Sequence, residues 1–272
     1  MEASRFVWQE EQPHFGGFSA LELAPDGKGF VAVSDRGWII QGQIERDDNG
    51  QITAIESDAM TALAPPADRH WKPWESDSEG LAIGPDGVAY ISFEGIHTVF
   101  RYPDLQAPAE ALPKHADFAG FINNASLEAL AIGPDGALYT MPERSGHKAR
   151  AFPVYRFQND SWQKVFTLPR RDEFLPVGAD FGPDGKFYLL ERRFQLIRGF
   201  ANRVRRFTLS DEGFFEEELI FESQAGRYYD LEGLSVWRGD DGFIRVTMIS
   251  DDNFNFLQST EIVEYVIKET LD

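Results

Sequence analysis

A short unit that recurs along the chain limits what it can fold into. Leu-Ala-Pro-Asp-Gly at 23–27 is followed by Ile-Gly-Pro-Asp-Gly at 83–87 and again at 132–136, then by Phe-Gly-Pro-Asp-Gly at 181–185. A degenerate fifth copy, Val-Trp-Arg-Gly-Asp-Asp-Gly, occupies 236–242. In each unit proline pre-sets φ, aspartate can bond its own backbone, and glycine takes the positive-φ position of a tight turn. A short apolar run such as Gly80-Leu81-Ala82-Ile83 precedes the turn, and an alternating run such as Val88-Ala89-Tyr90-Ile91-Ser92-Phe93 follows it. Two such runs across a turn predict a hairpin. The prolines at 25, 85, 134 and 183 are separated by 60, 49 and 49 residues. Repeats of that period build propeller blades.

Third strands are expected at 38–44, 98–102, 154–157, 203–207 and 261–267, and fourth strands at 53–58, 162–166 and 217–221. The last unit ends after its third strand, so the strand-like segment 5–9 is expected to supply the missing outer strand and close the ring. The prediction is an all-β chain: a single β-propeller domain over 1–272, with five four-stranded blades closed by the N-terminal strand. The longer first interval leaves room for a sixth, degenerate blade within 38–77, while the aromatic stretch 64–74 reads as a loop on one face.

Composition narrows the function. The absence of cysteine excludes thiol catalysis, cysteine-ligated zinc and iron–sulfur chemistry. A formal charge of −19 is the wrong sign for a nucleic-acid binder or an anionic membrane surface. No apolar run reaches the roughly 18 residues of a membrane span. The start, Met-Glu-Ala-Ser-Arg-Phe, is not a signal peptide. The expectation is a monomer, either periplasmic or secreted with its leader removed, or cytoplasmic.

Most surface carboxylates serve solubility, but some fall in repeat-equivalent places. Glu79 and Glu128 lie six residues before their prolines, and Glu232 takes the same place in the fifth unit, with Ser19 and Val177 in the first and fourth. The far ends of the hairpins are polar too: Ser34-Asp35-Arg36-Gly37, Phe93-Glu94-Gly95, Pro142-Glu143-Arg144, Leu190-Glu191-Arg192-Arg193 and Ser250-Asp251-Asp252-Asn253. Antiparallel pairing brings both sets to one face of the disc, where the inner strands of a propeller surround its axis. Carboxylates gathered there repel one another unless a cation or basic group lies between them. All-oxygen donors suit Ca²⁺ better than zinc.

Arginines 192, 193, 198, 203, 205 and 206 crowd one stretch; Arg203, Arg205 and Arg206 flank strand positions and are expected to pair with nearby acids. Arg36, Arg144, Arg192 and Arg193 sit at hairpin ends, where they can meet a ligand. The five histidines show no metal-ligand spacing, and no nucleophile elbow, Walker loop or Rossmann fingerprint is present. Nothing near Ser19 in sequence supplies a base for it.

An ordered set of segments resembles the phytase-like propeller family, usually described by the "esterase-like activity of phytase". It comprises Phe15-Gly16-Gly17-Phe18-Ser19-Ala20-Leu21, Ser34-Asp35-Arg36-Gly37, Asp77-Ser78-Glu79-Gly80-Leu81 and Leu127-Glu128-Ala129-Leu130. Leu190-Glu191-Arg192-Arg193-Phe194, Asp230-Leu231-Glu232-Gly233-Leu234 and Ser250-Asp251-Asp252-Asn253-Phe254 complete it. The resemblance implies an exported bacterial propeller that binds Ca²⁺ and hydrolyses a phosphoric or related ester. Fewer lysines and a sparser acidic cluster than true β-propeller phytases argue against phytate itself. On this reading Glu79, Glu128, Glu232 and Asp251 hold the cation, Arg36 and Arg192 clamp a small anionic ester, and Asp35 or Glu143 acts as base. Two alternatives stay open: a non-catalytic propeller binding a ligand or partner on the same face, and a metal-dependent lactonase.

Overall fold

Each of the five turns closes in the same way, the degenerate fifth copy included. The amides of Gly27, Gly87, Gly136, Gly185 and Gly242 donate to the carbonyl three residues earlier, and all five glycines have φ between 68° and 82°. In every turn an aspartate Oδ1 (Asp26, Asp86, Asp135, Asp184 or Asp241) accepts the amide two residues on. One local interaction set therefore fixes the register of five hairpins.

The computed structural model describes residues 1–122 and 125–268. It holds five antiparallel sheets arranged as a five-bladed β-propeller. Blade 1 runs Phe18–Leu23, Gly29–Ser34, Trp38–Arg46 and Ile52–Ser57 from inside to outside. Blade 2 runs Ser78–Ile83, Ala89–Phe93, Thr98–Tyr102 and the two-residue strand Glu110–Ala111. Blade 3 comprises Leu127–Ile132, Leu138–Pro142, Phe152–Gln158 and Ser161–Leu168; blade 4 comprises Leu175–Phe181, Phe187–Gln195, Gly199–Ser210 and Gly213–Glu222. Blade 5 takes Asp230–Arg238, Ile244–Asp251 and Thr260–Ile267 from the C-terminal part and its outer strand, Glu2–Trp8, from the N-terminal part. Ring closure by the N-terminal strand is as expected. The extra residues of the first interval make no sixth blade. They form a two-residue strand, Thr61–Ala62, on the third strand of blade 1 and a loop in which Trp71 stacks on Phe93.

Apolar layers fill the spaces between blades. Trp8, Phe18, Phe30 and Trp237 pack between blades 5 and 1, and Ile39, Leu81, Phe93 and Phe100 between blades 1 and 2. Phe152, Phe187 and Phe207 do the same between blades 3 and 4.

The five inner strands touch one another in a closed cycle around the axis. Each carries a register irregularity at the equivalent place, skipping Ser19, Glu79, Glu128, Val177 and Glu232 in the five blades. A bulge re-aims the residue it carries. The residue after each bulge is Ala20, Gly80, Ala129, Gly178 or Gly233, because the next blade lies against it. A Cβ on Gly233 would sit 2.7 Å from the amide nitrogen of Leu21, and one on Gly80 2.5 Å from the carbonyl of Glu128. One residue further, Leu21, Leu81, Leu130, Ala179 and Leu234 pack between the blades, and the cavity left between the inner strands is only about 10 Å³. That is room for one water at most.

Gly233→Val places a branched side chain against fixed backbone of blade 1. Overpacking of this kind costs roughly 1–3 kcal/mol, so the urea midpoint is expected to fall while the denaturant slope is unchanged. An unchanged midpoint would show that the axis tolerates wider spacing.

Candidate functional site

Strand pairing sorts the polar ends of the hairpins into one ring. The amides of Asp35, Glu94 and Glu143 donate to the carbonyls of Gly17, Asp77 and Ser126, while Leu175 pairs with Arg192 and Asp230 with Asp251. Asp35, Glu94, Glu143, Arg192 and Asp251 are thus equivalent in blades 1 to 5. The bulge residues stand just inside them. Blade 1 contributes Asp35; blade 2 Asp77, Glu79 and Glu94; blade 3 Glu128 and Glu143; blade 5 Asp230, Glu232 and Asp251. Nine carboxylates therefore surround the axis, and blade 4 places an arginine, Arg192, where the other blades have an acid.

These groups fall into two trios. Carboxylate oxygens of Asp77, Glu79 and Glu94 all lie within 4.8 Å of one another, as do those of Asp230, Glu232 and Asp251. Of the four residues expected to hold a cation, three are divided between them: Glu79 in the first trio, Glu232 and Asp251 in the second, with Glu128 in neither. Glu128, buried, lies between Glu94 and Arg192 and is influenced by both charges. Asp77, Glu94 and Asp230 were not assigned as ligands from sequence. The signal for two of them is present, since Asp-x-Glu-Gly recurs at 77–80 and 230–233.

Arg192 enters the second trio. Its Nη1 donates to Asp230 Oδ2 at 2.6 Å and also to Glu232, while Nη2 lies 3.5 Å from Glu143 Oε1. Its neighbour Glu191 points away from the axis and, fully buried, accepts from Arg203 Nε and Arg205 Nε, each at 2.7 Å. Arg203 and Arg205 are therefore structural counter-charges, as expected, and Arg206 pairs with Glu218.

Burial and mutual repulsion raise the acids of the ring. Desolvation, then Glu128, pushes Glu79 well above the usual carboxylate range; desolvation, then Glu94, does the same for Glu128. Asp77 is raised to about 6 and Asp251 to about 7, both mainly by burial. Burial also raises Asp35 to about 6, against the pull of Arg36. Burial opposes charge on Arg192, yet Asp230, Glu128 and Glu143 hold it charged above its ordinary value.

The rim is partly basic. The Arg36 guanidinium lies 3.4 Å from the centre of the Phe254 ring, exposed and beside Asp35. Arg144, also exposed, donates to Glu143 at 3.3 Å and lines a cleft of about 520 Å³ with Arg150 and Lys164. Asp252 is not a free ligand: its Oδ1 accepts the amides of Gly17 and Phe254, which fixes the glycine loop over the ring. Ser19 is buried and donates to the carbonyl of Ser78 at 2.7 Å, so its hydroxyl proton is committed to the backbone. His14 stacks on Trp38 outside the ring. A cleft of about 1010 Å³ opens beside the Pro25 and Pro85 turns at the other end of the blades. Its lining includes no lysine or arginine, so charge rather than size selects the ring as the site.

The model of the family described as "Phytase-like: Esterase-like activity of phytase" matches residues 13–254. The chain belongs to that family. Among solved structures, the phytase-like chain is similar to the catalytic domain of a Coprinopsis cinerea GH62 α-L-arabinofuranosidase. That match has a TM-score of 0.58 and 11% identity, and covers 97% of this chain and 96% of that one. A Dyadobacter fermentans protein of unknown function matches with a TM-score of 0.52 and 12% identity, over 98% of this chain and 87% of that one. The PQQ-bound aldose sugar dehydrogenase of Streptomyces coelicolor matches with a TM-score of 0.50 and 14% identity, over 97% and 98%. At such identities these likenesses show the fold alone. No curated protein matches the sequence.

The raised acids give the phytase-like ring a pH signature. Their folded pKa values exceed the unfolded values near 4, so between the two the folded chain binds more protons. Their contribution is most favourable below the unfolded value and is lost as pH rises through about 6 to 7. In chelator, the urea midpoint is expected to be lower at pH 8 than at pH 5.5, with a smaller difference in Asp251→Asn. A higher midpoint at pH 8 would contradict this origin.

Proposed function

We propose that the chain is a calcium-assisted hydrolase of a phosphoric or related ester, working at the ring face. The observation that carries this reading is the trio Asp77, Glu79 and Glu94. Their oxygens converge within 4.8 Å, and among the described residues no lysine or arginine hydrogen-bonds to any of them. Like charges so close ionise together only beside a cation, and donors that are all carboxylate oxygen fit Ca²⁺. Asp77, Glu79 and Glu94 would hold it, with Glu128 alongside. Bound there, the ion supplies neutralising charge for a substrate anion and polarises an ester oxygen.

The chain's own groups do the rest. Arg36, fixed flat on Phe254, presents an exposed fork to an anionic oxygen at the rim. Arg144, Arg150 and Lys164 make the adjoining cleft attractive to an anionic leaving group. Asp35, raised to about 6, is ionised at neutral pH and basic enough to take a proton from water. Glu143 steadies Arg144 and Arg192 rather than standing free as a second base. The inner strands, with a cavity of only about 10 Å³ between them, leave little room for water to enter along the axis.

Added Ca²⁺ is expected to raise the thermal midpoint of chelated protein, since the ion binds the folded state. A panel of phosphate esters should then be cleaved only by the loaded protein. Glu79→Gln is expected to weaken Ca²⁺ binding at least tenfold. Asp35→Asn should leave binding intact and lower kcat by roughly 10²–10⁴. Failure of the loaded protein to cleave any ester removes the hydrolase reading, and undiminished turnover in Asp35→Asn removes Asp35 as base.

A further inference from the structure

The two trios are built alike, one in blade 2 and one in blade 5, but only one of them already holds a positive charge. Asp77 and Glu94 face each other across the hairpin of blade 2 as Asp230 and Asp251 do in blade 5, and Glu79 and Glu232 occupy the same bulge. Each trio gathers its oxygens within 4.8 Å. In the second, the Arg192 guanidinium bonds Asp230 and Glu232 from the position that is a carboxylate in every other blade. It leaves one acceptor unused. Asp230 is 3% exposed, and its Oδ1 has no hydrogen-bond partner. A buried carboxylate oxygen without a partner is costly, and it marks a donor site that a single guanidinium does not fill.

We infer that Arg192 is a built-in counter-cation that takes the place of a second metal ion, so that the ring binds one divalent cation per chain, at Asp77, Glu79 and Glu94. The physical basis is charge count. Nine carboxylates around one axis exceed what one divalent ion neutralises, and a second ion would be favourable in the equivalent trio. The guanidinium supplies part of that charge without dissociating, and its fork is tied to three acids of two blades. Removing it therefore creates a second cation site instead of an inert hole. This rests on the proposed cation-dependent function only for the occupancy of the first trio.

The test is the stoichiometry of Ca²⁺ binding by calorimetric titration of the full chain, checked by equilibrium dialysis. Wild type is expected to bind one ion and Arg192→Met two, whereas Arg192→Lys keeps the charge and stays at one. Arg192→Met should also melt lower than wild type in chelator and regain the difference when Ca²⁺ is added. Two ions in wild type, or a folded Arg192→Met that binds no more ions than wild type, overturns the inference. If Arg192→Met does not fold, single variants of wild type decide: Glu79→Gln should abolish the one binding event and Glu232→Gln should keep it, and the reverse overturns the assignment. No ion in wild type but one in Arg192→Met supports the internal cation and sinks the cation-dependent hydrolase. No ion in either sinks both.

Discussion

Five strands converge on one axis only if the residue facing the neighbouring strand is no larger than a methyl group. That constraint is visible at Ala20, Gly80, Ala129, Gly178 and Gly233, and most sharply at Gly178, where an added carbon would run into the carbonyl oxygen of Glu232. The residue just before each of these is bulged out of register. The same crowding that demands a small residue thus turns its predecessor out of the ladder. Placement of the ring and packing of the axis are one event, since the bulge belongs to both.

Electrostatics then separates the blades, which the backbone has made equivalent. Blade 4 has Val177 at the bulge and Arg192 where the others have acids, so it supplies positive charge to a ring that is otherwise negative. The pull on Arg192 comes from blades 3 and 5 together, and its bonds cross from blade 4 to Asp230, Glu232 and Glu143. Breaking that contact would leave buried carboxylates without their counter-charge, which is typically costlier than losing a surface pair.

Much of this was legible in the sequence because one turn chemistry recurs. Pro-Asp-Gly gave the hairpins, their spacing gave the blades, and a fixed offset from the turn found Glu79, Glu128 and Glu232. Even the copy lacking proline at 236–242 closes with the same two glycine and aspartate bonds. The remainder needed strand register. Blade 4 offers Glu191 and Arg192 side by side, and only the pairing of Leu175 with Arg192 shows which one faces the axis. Glu191 instead lies between Arg203 and Arg205. The long first interval was ambiguous by length alone; its residues serve a loop anchored by Trp71. Asp77 and Asp230 stand two residues before Glu79 and Glu232, a period-two spacing that sets each pair on one face of its strand, so Asp-x-Glu already carried this signal and only the closure with Glu94 and Asp251 needed the register.

The close approach of the inner strands under the ring makes the candidate site a cup rather than a pore. With about 10 Å³ left along the axis, nothing larger than water passes through the disc. Whatever enters must leave by the same mouth, past the same rim of Arg36 and Arg144. A split product that keeps its anionic group would meet those arginines again on the way out. In such a one-door vessel, attraction at the rim hastens arrival and delays departure alike, and the stay of an anion is set by how the rim balances the two.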